Sequence, residues 1–482
     1  MNINDIQRGG RVKIVFIKVN MMYSKGKDAL KPLIFPIIEK ITPSGCTVSF
    51  YDERIEALPD EIDADIIAFS VETFAARHAY ELSDRYRRRS SEVTAKKEEE
   101  GKKIRIVMGG FHACAMPDEV LEHADTVLVG DAEDTWPRYI EDVKSGCEKR
   151  RYDSQNKCPV AFVDNNAHCF DGKKYLKLGM IQASRGCKFN CDFCSIKSLY
   201  PSGVRQKDIG DVVEEIRNSP EKLIFFIDDN LFLNEETARE LFKAIRPLKK
   251  KWACQISMDI AFNDELLGLM YDSGCIMVLI GFESLDERNL RIMHKSANIG
   301  IMNKGGEDET GDEDTQHDIR IKRYEEAIAN IYRHNIMIYA MFVLGYDHDT
   351  AESIKKTYDF AVRNDLAVAN FNPLMILPGT ELYKRMSSER LLKYDKWWLD
   401  EDYRYGDAMF YPKSMTCDEL MEGCRKARYD FNGYRTILKR MFGAKVNHRG
   451  IFNSAVFLLV NLISRSEIHR KQGRSLGGGN EL

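Results

Sequence analysis

The chain has 482 residues, more than one ordinary hydrophobic core accommodates, so two or three domains of roughly 100–200 residues are expected. Its 71 Lys+Arg against 75 Asp+Glu make no compositional case for nucleic acid or an anionic surface as partner. No secretory leader is legible in MNINDIQRGGRVKIVFIKVN. The longest apolar stretch, GIFNSAVFLLVNLI, is shorter than the roughly 20 residues that span a bilayer, so a soluble, cytoplasmic protein is expected. Twelve cysteines in such a chain read as thiols or metal ligands rather than a disulfide framework, and the nine scattered ones read as buried structural thiols.

Short β-branched apolar runs at 12–19, 46–51, 65–71, 104–108 and 126–129 predict strands, and 29–41, 74–100, 117–122 and 133–145 predict helices between them. Over residues 1–150 this alternation predicts an α/β, doubly wound (Rossmann-like) parallel sheet. The charged run RRRSSEVTAKKEEEGKK reads as a solvated helix extension, and 147–172 reads as irregular.

A second alternation follows, with strands at 179–183, 222–227, 253–258, 276–281, 336–344 and 367–376. Helices are predicted at 208–218, 234–249, 264–273, 286–293, 321–334 and 350–364. Six β/α units over residues 170–385 predict a partial (β/α)6 TIM-type barrel, whose reactive groups gather at the C-terminal strand ends. The acidic stretch NKGGEDETGDEDTQHD (303–318) has almost nothing apolar to bury and is expected to be a mobile surface insertion; its spacing is not that of an EF-hand. Residues 386–482 turn aromatic and helical, predicting a small, mostly helical C-terminal region. There Trp397, Trp398, Tyr403, Tyr405 and Phe410 suit packing on the barrel more than the wall of an apolar pocket. The stretch IFNSAVFLLVNLI suits core packing of a terminal helix more than a peripheral membrane contact.

The stretch ASRGCKFNCDFCSIKSLY sets Cys187, Cys191 and Cys194 at C-x3-C-x2-C, just after the first barrel strand. Thiolate is a soft ligand that suits zinc or an iron–sulfur cluster. A structural zinc needs a fourth ligand from elsewhere, such as His168 or Cys169, whereas a four-iron cubane held by three thiolates leaves one iron open to a ligand that is not protein. Position favours the cubane, because the loop sits at a barrel mouth and zinc knuckles usually staple small domains that lack a core.

The run SRGCKFNCDFC, with an aromatic residue before its last cysteine, resembles the cluster motif of the radical S-adenosylmethionine (SAM) enzymes. The resemblance implies that Cys187, Cys191 and Cys194 hold a 4Fe-4S cluster, that SAM chelates its open iron, and that an electron passed to the sulfonium releases a 5′-deoxyadenosyl radical. It implies that Phe193 backs onto the adenine. In FIDDNLF, Asp228, Asp229 and Asn230 meet the methionine amino end; in IGFESLDERNL, Glu283 and Ser284 lie near ribose and carboxylate. In FVLGYDHDT, Gly345 lets the backbone approach the adenine, and LMILPGTELY resembles the family's stretch at the sixth strand. Each also has a plainer reading, an acidic pair as a helix cap or a glycine as a turn.

Ahead of the barrel, FSVETF, VMGGFHACAMPDEV and VLVGDAEDTWP resemble the cobalamin-binding domain of cobalamin-dependent radical SAM enzymes. The resemblance implies that Gly109, Gly110 and Gly130 let backbone approach the cofactor and that Ser70 bonds its nucleotide tail, with His112 a weaker candidate. The D-x-H-x-x-G of many cobalamin proteins is replaced by NMMYSKGKDALKPL, which offers no histidine to cobalt. The whole arrangement is most similar to the branch containing hopanoid methylases. It implies cobalamin-dependent C-methylation of an unactivated carbon in a small or lipid-like molecule, an electron donor such as flavodoxin or ferredoxin, and no nucleic-acid partner. No side chain can deprotonate such a carbon, so a one-electron route carried by cofactors is required. Radical cyclisation or rearrangement without methyl transfer, and a non-catalytic metal-binding protein, remain the alternatives.

Overall fold

The computed structural model describes residues 11–22, 25–26, 28–97, 104–155, 157–200, 203–231, 234–302 and 313–477. Strands β1 (Val12–Lys18), β2 (Cys46–Asp52), β3 (Ile66–Ser70), β4 (Arg105–Gly109), β5 (Thr126–Val129) and β6 (Arg151–Asp153) pair in parallel in the order β2-β1-β3-β4-β5-β6. Helices α1 (Ile34–Ile41), α2 (Ala76–Lys97), α3 (Phe111–Ala115), α4 (Pro117–His123) and α5 (Ala132–Ser145) make the crossovers. Residues Ile66–Phe69 of β3 are all buried, as a parallel strand covered on both faces requires. The strand order reverses between β1 and β3, which opens a crevice at the C-terminal strand ends.

Strand β6 corrects the irregular reading of 147–172. Only Tyr152 of its three residues points inward, and Arg151 and Asp153 face solvent, so it is a short charged edge with no alternation to detect.

The second series is β7 (Gly179–Ile181), a two-stranded antiparallel ribbon of β8 (Ser184–Arg185) and β9 (Arg205–Gln206), then β10 (Leu223–Phe226), β11 (Lys251–Ile256), β12 (Cys275–Glu283), β13 (Met337–Leu344) and β14 (Val368–Pro373). The six longer strands pair in parallel as β14-β13-β12-β11-β10-β7, an open barrel wall with β7 and β14 at its edges. Helices α6 (Ser195–Leu199), α7 (Ile209–Asn218), α8 (Glu235–Ile245), α9 (Asp264–Ser273), α10 (Glu287–Ile292), α11 (Ser296–Met302), α12 (Glu313–Arg333) and α13 (Ala351–Arg363) lie between them. Side chains of Asn234, Asn263, Asp286 and Thr350 accept backbone N–H groups at the starts of α8, α9, α10 and α13, which fixes where those helices begin.

Most of the acidic stretch 303–318 lies outside the described residues, but α12 begins at Glu313, so its last six positions are helical rather than irregular. Acidic sequence suits the first turn of a helix, where the dipole favours negative charge.

The C-terminal region contains α14 (Glu381–Ser388), α15 (Cys417–Phe431), α16 (Tyr434–Gly443) and α17 (Gly450–Lys471). Trp397 and Trp398 are fully buried; Trp397 Nε1 donates to the Ile376 carbonyl (2.7 Å) and Trp398 Nε1 to Glu119 Oε1 (2.9 Å). These aromatics pack against the barrel and the first sheet, and one core cluster runs continuously through all three. Helix α17 meets the core-packing expectation on one face only, where Phe457 joins a core cluster with Val456, Leu458 and Val460 against it. Phe457 and Asn461 are buried, while Ile451, Phe452, Leu459 and Leu462 face outward. The described cysteines are all free; of the nine scattered ones Cys169, Cys254, Cys275 and Cys424 are buried as expected, whereas Cys46, Cys114, Cys158 and Cys417 are half-buried and Cys147 is exposed.

Candidate active site

A cavity of about 400 Å³ opens where the ends of β1, β3, β4 and β5 face Met180 of β7, Arg185 of the β8–β9 ribbon, and Leu199 and Tyr200 at the end of α6. Ser70, Gly109, Gly110 and Gly130 line it, with Trp136 and Met180 among its apolar walls. Gly110 has φ 104°, and a Cβ there would stand 2.7 Å from the Val71 carbonyl oxygen and 2.9 Å from its nitrogen, so the floor admits glycine alone. Gly130 (φ 88°) donates its N–H to Cys114 Sγ at 3.1 Å.

His112 does not line this cavity. It is completely buried, with Nε2 3.1 Å from both the Tyr80 hydroxyl and Glu119 Oε1, and its ring meets Trp398 edge-on. The helical turn of α3 directs it into the core beneath the glycine pair, which removes it as a candidate cobalamin contact. Burial alone would raise the Glu119 carboxyl, but hydrogen bonds from His112, Lys396 and Trp398 hold it at about 2.

The cysteine loop follows β7 and β8 and is braced at its start. The fully buried Asp228 accepts from Ser184 Oγ (2.5 Å) and the Ala183 N–H (3.1 Å), and burial pushes its pKa up to about 6. Both oxygens are thus engaged by the loop's first residues, so Asp228 positions the loop and does not face the mouth. Asp229 accepts from the Gly186 N–H at 3.0 Å and remains partly accessible. Asn230 donates to Ser257 Oγ at 3.3 Å.

Cys187, Cys191 and Cys194 are half-buried. Burial raises all three thiols, Cys191 to about 12, and each of Cys191 and Cys194 also feels Cys187. Metal binding here would therefore be coupled to proton release. Soft sulfur donors on one loop fit an iron–sulfur cluster. Neither fourth ligand expected for zinc is offered to the loop: His168 is exposed and bound to Asp171, and Cys169 is buried in the core under the first sheet. Among the described residues, no three His, Cys, Asp or Glu side chains converge on a single-ion site.

Glu283 ends β12 where the β12–β13 register shifts, with φ 61°, a strained conformation for a residue carrying a long side chain. Its carboxylate pairs with Lys295 Nζ at 2.7 Å. Burial would lower the Lys295 ammonium, but Glu283 and the Cys191 and Cys194 sulfurs raise it. Ser284 is buried, and its Oγ accepts from the Asp286 N–H at 3.0 Å. The Phe193 ring meets Tyr346 edge-on at 6.5 Å, and the Tyr346 hydroxyl donates to Asp192 at 2.7 Å.

Gly345 (φ 109°) donates its N–H to Asp349 Oδ2 at 2.8 Å. A Cβ there would meet Leu420 at 2.8 Å and Phe410 at 3.0 Å, so the close approach on that side is to the C-terminal region. The motif reading missed Lys295 and the two arginines of the β8–β9 ribbon. Arg185 Nη1 donates to Asp131 Oδ1 (2.8 Å) and its Nη2 to Glu133 Oε1 (3.0 Å), while Arg205 Nη1 donates to Asp131 Oδ2 (2.5 Å). Arg185 stands inside the quoted SRGC, but nothing local marks its partners at the start of α5.

Residues 181–361 match the radical SAM superfamily. Over 446 residues the chain is 28% identical to bacteriochlorophyllide d C-12(1)-methyltransferase of Chlorobaculum tepidum, covering 89% of this chain and 88% of that one. It is 25% identical over 358 residues to hopanoid C-2 methylase of Rhodopseudomonas palustris, covering 70% and 64%. Among solved structures, TsrM from Kitasatospora setae with cobalamin and a [4Fe-4S] cluster superposes with a TM-score of 0.61 at 13% identity, over 95% of this chain and 99% of that one. The cobalamin-dependent SAM radical enzyme OxsB gives 0.61 at 13% identity, over 96% and 72%. Residues 181–361 are a radical SAM domain. The fold of the chain, with a doubly wound sheet ahead of an open barrel, is that of the cobalamin-dependent members of the superfamily.

Proposed function

We propose that the chain is a cobalamin-dependent radical SAM methylase acting on an unactivated carbon of a lipid-like polycyclic molecule. The observation that carries the reading is one cavity bordered on one side by Gly109, Gly110 and Gly130 and on the other by Gln182, Arg185, Leu199 and Tyr200, the residues that flank the segment bearing Cys187, Cys191 and Cys194. The residues fit the groups they would hold. Gly110 lets the β4–α3 turn pass close to the Val71 backbone, and Ser70, Gly109, Gly110 and Gly130 together border one cavity of about 400 Å³ with apolar walls. The three thiols would be the cluster donors, and Asp229, Asn230, Glu283, Ser284 and Phe193, each held by a contact of its own, would be the residues that meet SAM. Bound there, the cluster and SAM supply a hydrogen-abstracting radical and cobalamin supplies a methyl group. The chain's own share is placement and exclusion of water. Asp228 fixes the loop, the Arg185–Asp131–Arg205 network joins loop to floor, and the apolar walls keep the space dry. A one-electron donor such as flavodoxin or ferredoxin is required.

The substrate class rests on the relatives that span most of the chain, whose names give a bacteriochlorophyllide and a hopanoid as what they methylate. Cyclisation without methyl transfer is the second reading, favoured by 24% identity over 358 residues to anaerobic magnesium-protoporphyrin IX monomethyl ester cyclase of Cereibacter sphaeroides.

The test is anaerobic, reduced, cobalamin-loaded protein incubated with SAM, following 5′-deoxyadenosine and S-adenosylhomocysteine separately. Both are expected, and Cys191→Ala should abolish the deoxyadenosine. Deoxyadenosine without S-adenosylhomocysteine under these conditions, with cobalamin bound, would leave the cyclase reading in place of the methylase. Deoxyadenosine persisting in Cys191→Ala would overturn the cluster assignment.

A further inference from the structure

From Gly433 to Ser466 the sequence carries no aspartate or glutamate, in a chain where those residues number 75 of 482. The same segment carries Arg435, Lys439, Arg440, Lys445, Arg449 and Arg465. Arg440 is spent internally: it is buried and donates to the carbonyls of Leu366, Ala367 and Phe431 and to Asn461 Oδ1. Arg435, Lys439, Lys445 and Arg449 are exposed.

Among these cations lies an apolar surface. On α16, Tyr434 (62% exposed), Leu438 and Phe442 (67%) recur every four residues and form one stripe. On α17, Ile451 (92%), Ala455, Leu459 and Leu462 form another, while Phe457 and Asn461 occupy the opposite, buried face. The stripes adjoin. The Arg465 guanidinium lies 4.5 Å over the Tyr434 ring, and the Phe442 ring is 5.8 Å from that of His448, so the helices form an antiparallel pair.

We propose that this face of α16 and α17 docks the enzyme on a bilayer surface containing anionic lipid. Water is a poor partner for aromatic and aliphatic side chains at such exposure, and a basic rim around an apolar stripe matches a headgroup layer over acyl chains. By length and composition the 22-residue α17 could cross a bilayer, but its Phe457 and Asn461 face is packed on the barrel, so it lies along the protein surface instead. Asn461 is moreover tied to protein through the Ala367 carbonyl at 3.0 Å. A second copy of the chain does not fit either, because a two-fold contact sets the same patch against itself and the segment has no acid to meet its own cations.

The buried side of the pair covers Ile276, Met277, Met337 and Val368 at the N-terminal ends of β12, β13 and β14. The docked face is thus at the end of the barrel away from the cysteine loop, and it anchors the enzyme without forming the entrance to its site. The inference therefore does not depend on the functional reading.

The experiment is flotation of the full-length, cluster-reconstituted chain with vesicles of phosphatidylcholine alone and of phosphatidylcholine mixed with phosphatidylglycerol, at low and high salt. Binding is expected to the mixed vesicles and to weaken with salt. Neutralising Arg435, Lys439, Lys445 and Arg449 to Gln should cost on the order of fivefold in partition for each residue. Ile451→Asp with Leu459→Asp should reduce it by more than about tenfold. Both variants alter exposed positions, and unchanged melting and deoxyadenosine formation would show that they fold. Failure to float with mixed vesicles at low salt would overturn the proposal. So would a concentration-dependent dimer that Ile451→Asp with Leu459→Asp dissolves, which would give the face to a second copy.

Discussion

Lys295 sets an ammonium beside Cys191 and Cys194 and is itself held by Glu283. Three thiolates on a cluster make reduction costly, because the added electron joins an anionic centre, and a nearby cation offsets that cost. Lys295→Gln should therefore lower the cluster's midpoint potential by roughly a few tens of millivolts, with iron and sulfide content unchanged. Glu283→Gln should move it upward. A redox titration followed by electron paramagnetic resonance reads both signs; equal potentials in all three proteins would remove Lys295 from the cluster's surroundings. The cysteines could be read from sequence because their spacing is local and their chemistry is specific. Lys295 could not, since RIMHKSAN looks like the basic end of a short helix. Asp228 shows the opposite limit: a carboxylate at a strand end reads as a ligand, and only its depth and its bonds to Ala183 and Ser184 make it a brace.

At the scale of elements, the floor of the cavity is the turn from β4 into α3, and Gly110 makes it possible. Gly110→Ala places a methyl carbon against backbone atoms of Val71 that cannot rotate away, in a conformation already unfavourable for any L side chain. The expected cost is about 2–4 kcal/mol of stability, read as a lower denaturant midpoint with unchanged slope. Loss of cobalamin from protein loaded with it should follow, and Gly109→Ala should be milder, because its nearest contacts lie at 3.6 Å or more. A Gly110→Ala variant as stable as its parent would show that the turn can relax. The strands of both sheets were legible because buried parallel strands are short apolar runs between helices. β6 was not, being three residues with charge on both sides. Helix α17 was legible as a helix but not in its burial: an apolar run reads the same whether protein or something else covers it.

Across the whole molecule, Glu119 joins the first unit to the C-terminal region. It belongs to α4 of the first unit, accepts from Tyr80 (3.0 Å) and Trp398 (2.9 Å), and pairs with Lys396 (2.9 Å) from the segment after the barrel. No sequence pattern couples positions 279 residues apart, so PDEV reads only as a helix start. Because the carboxyl titrates near 2 in the fold and near 4.5 when unfolded, the unfolded chain binds more protons between those values. The stability Glu119 contributes is complete above about pH 4.5 and is lost as pH falls through about 2. An unscreened shift of this size corresponds to about 3 kcal/mol; water reaching Lys396, which is half exposed, reduces the expected contribution to on the order of 2 kcal/mol. Glu119→Gln should therefore melt lower than the parent at pH 7, and the gap should narrow as both are acidified from pH 4.5 toward 2. Since Gln keeps the shape but not the charge, a gap independent of pH would mean that packing of Trp398, not the carboxylate, holds the C-terminal region to the first sheet.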